Sequence, residues 1–430
     1  MHRRIVLLTL LILVIVNVSV YHAVLAEEQL FKRTRVTIPN NLPWYFLVIF
    51  GDNRPSDTSS ITLPVIFREI IDEIHILYPL AVIGTGDHTG KGTKAQIDEL
   101  YDFLVKNDLE NIWLAIGNHD KSSGQISYWI EKIAPENYFI DDIPSWRIAI
   151  INSETDLTSW RNQLKNALGT ASNRNVILVF HRPAYPYVEH NLDPNKISAL
   201  IEMIETYDHV RLVLEGHWHG YGYQVTGGIM WLVTGGAGAP LHSYPTHPYG
   251  NAVLVLHKNH YVVLILYPNG TFKVTPILAG RAGGKITIKK VGRSTIQIQN
   301  TKVDIFGKPT AIPVRLKINC GKWIVYSVVI VPPKSSVSIN YEVHDETLRV
   351  SCNAQTWFSY AIPVNQTYTK AVVGIPHNGI AEIKLPGIQQ ISLEDGQKSI
   401  RRYAPIVISA VLTAVGILVY LLVLKRRTIA

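Results

Sequence analysis

Over roughly the first two thirds of the chain, short apolar runs alternate with segments whose apolar positions recur at helical spacing. Trp44 to Phe50 is an unbroken apolar run that closes on Gly51-Asp52-Asn53-Arg54. From Pro64 the apolar residues fall at Ile66, Ile70, Ile71, Ile74 and Leu77, the spacing of one helix face. Leu80 to Ile83 predicts a strand ending in Gly84-Thr85-Gly86-Asp87-His88, and Ala95 to Lys106 predicts an amphipathic helix. Ile112 to Ile116 leads into Gly117-Asn118-His119-Asp120, Trp146 to Ile151 into Asn152, and Val176 to Phe180 into His181-Arg182-Pro183. Asp193-Pro194 supplies an N-cap and first-turn proline for a helix through Tyr207. Val210 to Leu214 ends in Gly216-His217-Trp218-His219, and Ile229 to Val233 in the run Gly235 to Gly238. Ala252 to Leu256 and Tyr261 to Leu266 read as a hairpin. Strands alternating with helices predict an α/β core.

The pattern then changes. Ile286 to Ile288, Thr295 to Gln299, Val314 to Cys320, Trp323 to Val331, Val337 to Val343 and Thr347 to Cys352 are strand-like runs separated by turn residues, with no helical period between them. That predicts an all-β, sandwich-like domain. The glycine-rich stretch Gly280 to Gly284 marks the boundary, which gives an α/β domain over 40–280 and a β domain over 285–395.

Both ends carry apolar segments. Arg3 and Arg4 precede the run Ile5 to Val20, and Val24-Leu25-Ala26 fits a cleavage site, so 1–26 reads as a signal peptide or an N-terminal anchor. Ala404 to Leu424 is uncharged and long enough to span a bilayer as a helix, with Lys425-Arg426-Arg427 opening the tail 425–430. The expectation is a single-pass protein of the cell membrane with its catalytic domain outside. The net charge of +8 does not change this picture. Between Arg281 and Arg402 there are 17 Lys and Arg against 7 Asp and Glu, so the surplus belongs to the β domain. No basic run is interleaved with aromatics as a nucleic-acid groove requires. Cys320 and Cys352 form either a disulfide, which an exported protein permits, or two buried thiols.

Five strand ends thus deliver Asp52, Asp87, Asn118 with His119, His181, and His217 with His219. Turn chemistry accounts for one such end. Five successive ends bearing carboxylate, amide oxygen and imidazole point to a centre for one or two divalent ions of the Mn, Fe or Zn class.

The ordered motifs Gly51-Asp52-Asn53-Arg54, Gly86-Asp87, Gly117-Asn118-His119-Asp120, His181 and Gly216-His217-Trp218-His219 resemble the calcineurin-like metallophosphoesterase superfamily over about residues 44–275. The resemblance implies two packed β-sheets flanked by helices. It also implies hydrolysis of a phosphomonoester or phosphodiester by water that the metals activate. Asp52 and His219 then hold the first metal, Asp87 bridges, and Asn118, His181 and His217 hold the second. His119 acts as acid or oxyanion stabiliser, and Asp120 orients it. The first motif departs from the superfamily's Asp-x-His, because Arg54 stands where the second ligand belongs and a guanidinium only donates hydrogen bonds. Three readings stay open: Arg54 grips a phosphate oxygen, His88 fills the vacancy, or the first site is weak. A catalytically degenerate surface protein whose β domain carries the function is the alternative. Trp218, Tyr221, Tyr223, Tyr244 and Tyr249 are candidates for stacking on a substrate base or aryl group.

Overall fold

The strands predicted to end in polar motifs sort into two sheets. In the computed structural model, residues 28–242, 251–364, 371–387 and the backbone of 391–393 are described. The first sheet runs Phe272–Leu278, His260–Leu266, Tyr45–Phe50, Ala81–Gly84 and Ile112–Leu114 in spatial order. Tyr45–Phe50 pairs in parallel with Ala81–Gly84, which pairs in parallel with Ile112–Leu114, so the three motifs that follow emerge at one edge. The second sheet runs Val253–Val255, Tyr221–Thr226, Ile229–Thr234, Val210–Glu215, Asn175–Val179, Trp146–Ile150 and Tyr138–Ile140. Its inner strands are also parallel, and both sheets meet where Ile229–Thr234 faces His260–Leu266. Strands buried on both faces explain the unbroken apolar runs: every residue of Tyr45–Phe50 is buried.

Helices cover the outer faces. Val65–Leu77 buries Phe67, Ile70, Ile71, Ile74 and Leu77: four of the five predicted positions and one aromatic, with Ile66 only half-buried. Lys94–Lys106 begins with a capping box between Thr93 and Gln96, and Pro194–Tyr207 is capped by Asp193 with proline in its first turn. The helix Leu157–Gly169, capped by Asp156, is an element beyond those that the sequence predicts.

One expectation fails. Val253–Val255 and His260–Leu266 do not form a hairpin: the first pairs with Tyr221–Thr226 in the second sheet, and the second lies between Tyr45–Phe50 and Phe272–Leu278 in the first. The chain crosses from one sheet to the other between them, and proximity in sequence carries no information about that.

The remaining strands form two further five-stranded antiparallel-paired sheets that face each other, so an all-β region follows the α/β region. Arg281–Gly283 makes a 3-10 turn between the two regions, flanked by Gly280 (φ 69°) and Gly284 (φ 72°). Through Ser392 the described residues belong to one compact unit. The regions are joined by buried ion pairs. Lys302 Nζ lies 2.7 Å from Glu73 Oε2. Arg315 donates to the Tyr78 and Pro79 carbonyls (2.8 and 3.0 Å) and to Glu110, sandwiched by the Tyr78 and Tyr326 rings at 4.2 and 4.7 Å. Cys320 and Cys352 are free, buried thiols, and burial pushes both up to about 11. Among the described residues no helix is long and apolar enough to cross a membrane; the stretches 1–26 and 404–424 lie outside them.

Candidate metal centre

The parallel strands throw their loops to the carboxyl-terminal edge, where open α/β sheets bind ligands. The loops are held in uncommon backbone conformations. Asp52, Asp87 and His217 have φ of 55°, 53° and 66°, the left-handed region that few non-glycine residues enter and that clusters at functional sites. Glycine permits the close approach of the loops to one another. A Cβ on Gly117 would stand 2.2 Å from Asp87 Oδ1.

Two groups of ligand atoms result, each within 4.8 Å: Asp87, His181 and His217, and Asp52, Asp87 and His219. They share Asp87, as a bridging carboxylate requires. Asn118 joins the first group through Oδ1, 3.1 Å from His181 Nε2. The backbone orients the imidazoles. His181 Nδ1 lies 3.0 Å from the Thr85 carbonyl and His219 Nδ1 lies 2.7 Å from the Pro240 carbonyl. A carbonyl oxygen only accepts, so each Nδ1 carries the proton and each Nε2 turns a lone pair inward. His181 Nε2 then faces Asp87 Oδ1 at 3.3 Å, and His219 Nε2 faces Asp52 Oδ1 at 3.4 Å. Asp52 Oδ1 is buried with no hydrogen-bond partner among the described residues. Acceptors converging on acceptors in a buried site call for a cation, and the donor set suits a borderline divalent ion. The residues therefore fit the expected metals.

Titration follows the same logic. Burial disfavours charge on His181, but with no ion bound Asp87 outweighs it and raises the imidazole to about 10, so a proton on Nε2 then supplies the positive charge that a metal would bring. Asp87 is buried too, and His181 and His119 hold its carboxyl well below the usual range. His217 is pushed down to about 2 by burial and by the neighbouring His181 and Arg182.

His119 sits at the rim. Its Nδ1 contacts the Gly90 carbonyl at 2.7 Å, and its Nε2 lies 3.9 Å from Asp87 Oδ2. The expectation that Asp120 orients it is corrected. Asp120 Oδ1 accepts from the His88 and Thr89 N–H groups (2.9 and 2.8 Å) and the Thr89 hydroxyl, and Oδ2 accepts from the Gly117 N–H at 2.9 Å. Asp120 thus staples the Asp87 loop to the His119 loop, and the Gly90 carbonyl orients His119. Burial and Asp87 push the Asp120 carboxyl up to about 7.

His88 does not replace the missing ligand. Its ring is buried against Trp129, with Nδ1 2.6 Å from Asn53 Oδ1 and Nε2 3.1 Å from the Ala115 carbonyl. Arg54 is nearer the centre: its Nε lies 3.7 Å from Asp87 Oδ2, and its N–H donates to the Asp87 carbonyl at 3.1 Å. A guanidinium thus already stands beside Asp87 Oδ2. We expect Arg54→His to raise the affinity of the Asp52–His219 site for Mn measured by calorimetric titration, and an unchanged isotherm would contradict this. Trp218 and Tyr221 are fully buried core residues, so stacking on a substrate is corrected for both, and Tyr244 and Tyr249 lie outside the described residues.

Three participants escaped the sequence reading. Arg182 reaches His217 Nε2 (3.1 Å) while its Nε donates to Glu154 Oε1 (2.7 Å). Glu215 is buried and accepts from the Ala184 N–H at 2.7 Å. His242 packs on His219 with ring centroids 4.8 Å apart. Only Arg182 had a visible signal, its place directly after His181.

Residues 61–221 match the family model described as Calcineurin-like phosphoesterase. That match spans 161 of the 430 residues, all of them within the α/β region. Among solved structures this chain is similar to GAP50, described as the anchor in the inner membrane complex of Plasmodium, at 12% identity over 55% of this chain and 85% of that one, with a TM-score of 0.45. It is similar to a dimetal phosphatase from Danio rerio at 13% identity over 56% and 97%, TM-score 0.41. It is also similar to Vps29 from Entamoeba histolytica complexed with zinc, at 16% identity over 60% and 99%, TM-score 0.31. The comparison with curated proteins gives no match.

Proposed function

We propose that the chain is a metal-dependent phosphoric ester hydrolase whose centre is held by Asp52, Asp87, Asn118, His181, His217 and His219. The observation that carries this reading is the pair of buried ligand groups sharing Asp87, on loops of a calcineurin-like phosphoesterase domain. When bound, divalent ions supply Lewis-acid charge at phosphorus and a water acidified to near neutrality. The chain's own residues do the rest. His119, oriented by the Gly90 carbonyl, presents Nε2 at the rim as the donor for the departing oxygen. Arg54 supplies a fixed positive charge beside Asp87. Phosphoryl transfer needs positioning and charge neutralisation more than a covalent nucleophile, and none is required here. Purified protein should hydrolyse p-nitrophenyl phosphate or bis-p-nitrophenyl phosphate with added Mn and lose that activity to a chelator. Saturating metal with no turnover of either ester would instead favour the degenerate reading, which Arg54 beside the bridging carboxylate keeps alive.

We further read the chain as exported and held by 404–424, on the strength of its two terminal apolar stretches. Protease added to intact expressing cells should then cut the full-length chain, and complete protection beside a cleaved surface control would refute it.

A further inference from the structure

We propose that Arg182 is a specificity residue that selects phosphomonoesters over phosphodiesters, an inference that rests on the phosphoesterase reading. The guanidinium is held in a built frame. Its Nε donates to Glu154 Oε1 at 2.7 Å and its backbone N–H donates to Ser153 Oγ at 3.2 Å, which together set Nη1 3.1 Å from the His217 ring. The Glu154 loop is itself pinned: Lys196 Nζ donates to the Ser153 carbonyl at 2.9 Å, Lys121 Nζ donates to the Glu154 carbonyl, and the Glu154 N–H donates to Asn152 Oδ1 at 2.8 Å. These contacts join the loops after Trp146–Ile150, Ile112–Leu114 and Asn175–Val179, so Arg182 is fixed relative to the ligand cluster. Its side chain is 28% exposed, and Nη2 has no hydrogen-bond partner among the described residues. A planar donor thus remains available beside His217, on a preorganised fork.

Charge and atom count give the substrate class. Arg54 stands beside Asp87 and Arg182 beside His217, so two guanidiniums border the centre at different ligands. A monoester presents three terminal phosphate oxygens and up to two negative charges. A diester presents two oxygens and one charge. The additional oxygen and charge are what a further charge-assisted donor recognises. Lys196 and Lys121 reach the Ser153 and Glu154 carbonyls, so two further cations lie beside the loop whose Glu154 pairs with Arg182.

The test uses full-length, metal-loaded protein carrying Arg182→Gln or Arg182→Lys. For Arg182→Gln, kcat/KM on p-nitrophenyl phosphate should fall about ten- to a hundredfold, the loss of one charge-assisted bond. On bis-p-nitrophenyl phosphate it should fall less than about threefold on the same reasoning. Arg182→Lys should recover part of the monoester activity, and elemental analysis should find the parent's metal content in both. Equal losses on the two esters, or loss of metal in both variants, would overturn the assignment. If the parent turns over neither ester, the phosphoesterase reading fails first. Calorimetric binding of inorganic phosphate against dimethyl phosphate then decides this inference: Arg182→Gln should weaken phosphate alone, and equal or no weakening refutes it.

Discussion

Asp87→Asn is expected to remove most bound metal and to lower kcat/KM at least about a thousandfold. Asp87 is the one residue common to both ligand groups. Its Oδ1 accepts the His119 N–H at 2.9 Å and faces His181 at 3.3 Å, while Oδ2 faces Arg54. The asparagine keeps the shape and the acceptor for His119, so the loops have little reason to move. What it loses is the charge that compensates two cations. Metal-derived charge stabilisation is worth several kcal/mol in the transition state, and about 4 kcal/mol corresponds to about a thousandfold in rate. Metal content by elemental analysis and steady-state kinetics on an aryl phosphate check both halves. A variant with the parent's metal content and rate would remove Asp87 from the centre.

The second large effect lies at the opposite end of the strands. Arg315→Ala is expected to cost about 3–5 kcal/mol of stability, the usual penalty for stranding one partner of a buried ion pair. Arg315 is 3% exposed and bonds to the Pro79 carbonyl, Glu110 and the Tyr360 hydroxyl. Burial alone would raise the Glu110 carboxyl, yet Arg315 and Tyr78 hold it below its ordinary range, so truncation leaves a buried carboxylate supported by the Tyr78 and Tyr326 hydroxyls and the Lys317 charge, without its buried cation. Arg315→Met with Glu110→Leu should recover much of the loss, because apolar side chains of similar volume often replace such pairs without cost. Pro79 and Glu110 precede Ala81–Gly84 and Ile112–Leu114, whereas the ligands follow those strands. Metal content per folded molecule should therefore stay unchanged. Urea unfolding followed by tryptophan fluorescence gives the answer, and a shift below about 1 kcal/mol, the scale of an exposed pair, would place Arg315 among surface ion pairs.

The strand ends were readable because parallel strands buried on both faces leave continuous apolar runs, and a candidate ligand lies within a few residues of the end of five of them. The order of Asp52, Asp87, Asn118, His181, His217 and His219 therefore survived from sequence to structure as one cluster. Pairing was less readable. Val253–Val255 and His260–Leu266 have strand character, but alternation within a strand does not name its partner, and a four-residue gap spans two sheets as readily as one. Side-chain direction was also hidden. Asp120 follows His119 directly, yet its carboxylate turns inward to backbone N–H groups 31 and 32 residues earlier. Arg182 and Glu154 are 28 residues apart on separate loops, and only the parallel pairing of Trp146–Ile150 with Asn175–Val179 brings them together.

The central claim is that these loops build a metal centre around Asp87. Crystals of the protein grown with Mn and measured for anomalous scattering test it directly. The account predicts an anomalous peak enclosed by Asp87, Asn118, His181 and His217, with a second, weaker peak by Asp52 and His219. Fully ordered side chains with no anomalous peak at Asp87, under saturating Mn, would contradict it.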